Sequence, residues 1–98
     1  MADTRPTLRV YKYPLRLDDE MRVTLHAGAR VLTVQEQRGD PYVWALVDPT
    51  QPEVSRRFRL AGTGQDILWQ ENMYYRGTFQ LRGGALVFHL FEYAEIER

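Results

Sequence analysis

Apolar and polar residues alternate along most of this chain in short runs separated by turn formers. Leu8-Arg9-Val10-Tyr11-Lys12-Tyr13 alternates and is rich in strand formers. Pro14 either ends that strand or confines it to a sheet edge, because proline lacks the N–H that a ladder needs. Asp18-Asp19-Glu20 reads as a polar turn. Met21, Val23 and Leu25 then alternate with Arg22, Thr24 and His26, which predicts one buried and one wet face. A third strand is predicted from about Arg30 to Gln37, closed by the glycine-containing loop Arg38-Gly39-Asp40-Pro41. Tyr42 to Val47 is apolar on both faces and should be a central strand. Asp48-Pro49-Thr50-Gln51-Pro52 ends it.

The fifth strand, Arg56 to Leu60, places Arg56, Phe58 and Leu60 on one face and Arg57 and Arg59 on the other. Gly62-Thr63-Gly64 breaks it, and Gln65 to Met73 fits a short strand or one helical turn equally. Tyr74 to Leu81 resumes the β pattern, with Gly77 marking a bulge or a close backbone approach. Arg82-Gly83-Gly84 predicts a tight hairpin, and Ala85 to Tyr93 is again apolar on both faces. No segment holds a helical period. The expectation is an all-β, single-domain antiparallel sandwich or barrel of about seven short strands. It covers residues 7–94, with flexible termini at 1–6 and 95–98. Val10, Val23, Leu25, Val43, Trp44, Leu46, Phe58, Leu60, Phe88, Leu90 and Phe91 are among the predicted core residues.

Composition narrows the chemistry. The chain has 98 residues, 13 basic against 13 acidic, and no cysteine. Neutrality excludes a generally basic nucleic-acid binder, and the missing thiols exclude disulfides, thiolate metal sites and cysteine nucleophiles. The N-terminal residues lack an apolar stretch and no run could span a bilayer, so a cytoplasmic protein is expected. Lys12 is the only lysine; every other basic residue is arginine. A GC-rich genome explains that bias, and so does bidentate recognition of phosphate or carboxylate. The arginines cluster at 56, 57 and 59, while acid gathers at Asp18-Asp19-Glu20 and after Glu92.

Catalysis finds little support. His26 and His89 have no metal-ligand spacing, and Ser55, the only serine, lacks a nucleophile-elbow context. No catalytic residue, metal site or cofactor is predicted. Gly62-Thr63-Gly64 lacks the Lys-Ser/Thr of a phosphate loop. It reads as a simple bend, or as a backbone nest for an anion. Arg57 and Arg59 upstream, and Arg76 beyond, supply cations for the second reading. His89 reads as a satisfied interior histidine or as a donor at a pocket floor. Trp69, Tyr74 and Tyr75 are expected at the surface, where rings beside arginines suit a stacked nucleobase or a protein interface.

Several segments together resemble a known family. They are Tyr11-Lys12-Tyr13-Pro14-Leu15, Trp44 to Pro49, Phe58 to Gly64, Gly77-Thr78-Phe79-Gln80 and Gly84 to Glu92. The resemblance, over about residues 11–92, is to small uncharacterised proteins of tailed bacteriophages and prophages. It implies a β-rich domain acting in an infected bacterial cytoplasm, with the glycine-threonine-glycine loop and the late histidine recurring. Together these point to a non-enzymatic, phage-type, homo-oligomeric binding protein. It would sequester a small anionic nucleotide signal of bacterial defence through Arg57, Arg59, Gly62, Thr63, Gly64, Trp69, Tyr75, Arg76 and His89. The alternatives are an inhibitor or adaptor that binds a host or phage protein, and a small nucleotide-processing enzyme.

Overall fold

The structure, a computed structural model, describes residues 2–95. Seven strands form two antiparallel sheets: β1 (Arg9–Pro14), β2 (Glu20–His26), β3 (Arg30–Gln37), β4 (Asp40–Val47), β5 (Glu53–Gly62), β6 (Met73–Leu81) and β7 (Leu86–Tyr93). The first sheet has the order β1-β4-β3 and the second β2-β5-β7-β6. The architecture is a small β-sandwich and not a closed barrel. The expected termini at 1–6 and 95–98 fall partly outside the described residues.

The two stretches apolar on both faces are interior strands: β4 lies between β1 and β3, and β7 between β5 and β6. The strand that ends in Pro14 is an edge. Strict alternation selects the core. Met21, Val23 and Leu25 from β2, Phe58 and Leu60 from β5, and Leu90 from β7 face Val34, Val43, Ala45 and Val47 of the other sheet. The β3–β4 turn is two residues long, with Gln37 opposite Asp40. Arg38 and Gly39 both have positive φ (54° and 90°), the conformation whose twist suits a hairpin.

Parity also corrects the expected core. Val10 is 54% exposed, because Tyr11 and Tyr13 hold the inner positions of β1 and pack on the core. Trp44 and Leu46 are half-buried on the outer face of β4, opposite Lys12 and Val10 of β1. Phe91 alternates with Leu90 and lies on the outer face of β7, half-buried.

Gly77 serves both expected purposes. The β6–β7 register shifts between Tyr75 and Gly77, so Arg76 is an inserted residue without a partner. A Cβ at Gly77 would also sit 2.5 Å from Val34 Cγ1, so β3 approaches β6 closely there. Residues 63–72 are neither strand nor helix. This segment is tied down by Arg59 Nη2 donating to the Asp66 carbonyl (3.2 Å) and Gln65 Nε2 to Asp19 Oδ1 (3.1 Å). It also carries Trp69 onto Phe91.

Candidate functional site

Cross-strand pairing assembles most of the predicted residues on the outer face of the four-stranded sheet. Ala61 of β5 and Thr78 of β6 flank His89 of β7, and Arg59 and Tyr75 flank Phe91. Thr63, one residue past β5, reaches the same face. Its Oγ1 lies 2.7 Å from His89 Nε2, while Thr78 Oγ1 lies 2.9 Å from His89 Nδ1. The Tyr75 hydroxyl, 2.6 Å from Thr78 Oγ1, extends the chain. A neutral imidazole donates through one nitrogen and accepts through the other. The line Thr63–His89–Thr78–Tyr75 can therefore run in either of two directions.

Aromatic rings flank this line. Phe91 meets Trp69 and Tyr75 edge-on, each at a centroid distance of 5.8 Å. Trp69 and Tyr75 themselves are 59% and 58% exposed. The rings thus form an amphipathic surface with a half-buried centre.

The arginines of this face already have acidic partners. Arg57 Nη2 donates to Glu20 Oε1 at 2.8 Å, and its guanidinium lies 3.9 Å from the Tyr93 ring centroid. Arg59 Nη1 is 3.7 Å from Asp19 Oδ2, and its buried Nε has no partner among the described residues. The Arg57 hydrogen bond, aided by the Tyr93 hydroxyl, holds the Glu20 carboxyl below the usual range. Burial first, and then Glu20, push the Tyr93 hydroxyl up. In the glycine loop, the Gly62 N–H donates to Gln65 Oε1 (3.0 Å) and the Thr63 N–H to the Val87 carbonyl (3.1 Å). Two successive N–H groups are therefore used internally rather than aimed at a ligand.

Arg76 stands apart from the other eight predicted residues. From the bulge its Nε donates to Glu92 Oε1 at 2.9 Å. Glu92, 5% exposed, also receives Arg56 Nη2 at 2.8 Å and Arg56 Nε at 2.5 Å. Arg56 Nη1 donates to the Ala29 carbonyl. Burial pushes the Glu92 carboxyl up, but the two arginines prevail and its pKa is lowered. Arg56, Arg76 and Glu92 line a cleft of about 520 Å³. Arg56 and Glu92 are missing from the sequence-predicted set, although strand parity contains the signal. Arg56 alternates in phase with Phe58, and Glu92 with Leu90, so both point inward and need a partner.

Among the described residues no group of three or more His, Asp or Glu side chains could hold a metal, and no helix is long and apolar enough to cross a membrane. His26 is engaged elsewhere, with its Nδ1 2.7 Å from the Gln51 carbonyl oxygen.

The sandwich thus carries one hydrogen-bonded aromatic face and one arginine-lined cleft. The chain belongs to the family described as a domain of unknown function (DUF7352), whose model matches residues 6–98. No curated protein and no solved structure matches it.

Proposed function

We propose that this is a non-enzymatic binding protein that docks a partner protein on the outer face of its four-stranded sheet. One observation carries the reading. Residues 63, 75, 78 and 89, from three separate parts of the chain, form one hydrogen-bonded line beside exposed Trp69 and Tyr75. The face combines Trp, Tyr and Arg, the residue types that dominate interface hot spots. Its arginines are already held by carboxylates, so a phosphate would have to displace Glu20 or Asp19. The resemblance to phage proteins supports a host or phage protein of the bacterial cytoplasm as the partner. A second copy of the chain is the other protein occupant to test.

A second reading uses the same face. A nucleobase stacked on Trp69 or Tyr75 could hydrogen-bond to the Thr63 or Tyr75 hydroxyl, which favours sequestration of a small nucleotide. Native mass spectrometry of the protein purified from a bacterial host, with a thermal-shift panel of cyclic and ADP-ribose-type nucleotides, separates the two. The protein reading expects a stoichiometric partner that is lost in Trp69→Ala, and no nucleotide shift. A nucleotide at 100 times its Kd would stabilise by about 2.7 kcal/mol and support the second reading. Recovery of an altered nucleotide would show an enzyme. A monomer that retains neither partner nor nucleotide would overturn both binding readings.

A further inference from the structure

We infer that the cleft holding Arg56, Glu92 and Arg76 is a second binding site, for a small organic anion that presents a carboxylate or phosphate group. The site is independent of the partner-docking reading, because it opens on a different side of the sheet from His89 and Trp69.

Charge comes first. Two guanidinium groups share one buried carboxylate, which leaves one positive charge in excess among the described residues. Glu95, which also lines the cleft, is paired with Arg22 at 3.1 Å. A partly buried cation without a full counter-charge attracts an anion.

Hydrogen-bond capacity then shows where the anion goes. Arg56 is fully committed in direction, with Nε and Nη2 on Glu92 and Nη1 on the Ala29 carbonyl. Arg76 is not. It uses Nε alone, and its Nη1 and Nη2 have no acceptor among the described residues. Its side chain is 33% exposed and lines the cleft. Those two nitrogens present the parallel N–H pair that grips a carboxylate or phosphate bidentately.

Preorganisation supports the assignment. Arg76 stands on a β-bulge, a device that re-aims a side chain. Glu92 fixes the guanidinium through Nε, so less rotamer freedom is lost when an anion docks. The volume, about 520 Å³, lies within the range of small-molecule sites. Ala29, Val54 and Ala94 line it with small apolar groups. The ligand is therefore a compact organic body with one strong oxyanion.

The test titrates the folded protein at low salt with inorganic phosphate, a nucleoside monophosphate and succinate, by calorimetry and amide chemical shifts. At least one should saturate with Kd below about 1 mM. The shifts should centre on Ala29, Ser55 and Ala94, and the tightest probe distinguishes phosphate from carboxylate. Arg76→Gln should weaken binding at least about tenfold, while Trp69→Ala leaves it unchanged. Failure of all three probes to saturate, or equal binding by Arg76→Gln, would overturn the inference. If Arg76→Gln does not fold, Arg76→Lys decides. It keeps the charge beside Glu92 but loses the fork, and undiminished affinity in it would be equally fatal.

Discussion

Gly77→Ala would add a single methyl group where β6 of one sheet closely approaches β3 of the other. That carbon would lie 2.5 Å from Val34 Cγ1, against about 3.5–4.0 Å for a normal carbon–carbon contact. Val34 is 1% exposed and β-branched, so it has no alternative rotamer in open space. β3 and β6 must therefore separate by roughly 1 Å, a displacement of the kind that makes overpacking cost about 1–3 kcal/mol. The upper half of that range is expected here, because both strands are held in ladders on their other sides. Val34→Ala alone should cost about 2–3 kcal/mol for the lost methyls and their cavity. In the double variant the new methyl enters the vacated space, so the total should fall short of the sum by at least about 1 kcal/mol. Urea unfolding followed by tryptophan fluorescence measures all three values. A Gly77→Ala protein within about 0.5 kcal/mol of wild type, or strict additivity, would refute the reasoning.

Glu92→Gln leaves two guanidiniums facing a neutral amide. Breaking a fully buried pair costs about 3–5 kcal/mol, but the arginines are partly solvated, so about 2–3 kcal/mol is expected from denaturant midpoints. The pH dependence has a definite sign. The Glu92 pKa is lowered from 4.5, so the unfolded chain binds its proton first, and the stabilisation present at neutral pH is lost as pH falls below about 4.5. Glu20 titrates in the same sense. Unfolding curves from pH 7 to 2 should therefore show a steeper acid loss for wild type than for Glu92→Gln, and parallel curves would exclude Glu92 as a source. Arg38→Asn should stabilise by about 0.5–1 kcal/mol in thermal unfolding, because asparagine tolerates the positive φ of that turn better than arginine. A neutral or lower midpoint would show that Arg38 is held there by something other than the turn.

The fold was legible because alternation is a local signal. Each strand announces itself by period two, and a strand apolar on both faces announces that both will be covered. Pro14 marked an edge, and Gly77 marked a bulge and a close approach. Local parity also carries the signal that Arg56 and Glu92 point inward, yet the sequence-predicted site omits both. Val10 was misread because it is apolar at an outward position of an edge strand, which parity with Tyr11 and Tyr13 would have corrected. The His89 network was not legible. Thr63, Thr78 and Tyr75 meet it only because β7 lies between β5 and β6, and strand order is a non-local property. Arg76 was grouped with Arg57 and Arg59 for the same reason: one inserted residue in β6 turns it to a different surface.

The single lysine gives the molecule one chemically addressable ε-amine. Lys12 lies on β1 in the three-stranded sheet, donating to Gln37 Oε1 at 2.7 Å and resting 4.5 Å from the Tyr42 ring centroid. An amine-reactive dye or tether at that position would lie in the opposite layer of the sandwich from His89, Trp69 and Arg76. The protein can thus be immobilised through this side chain with both candidate surfaces left open to solution.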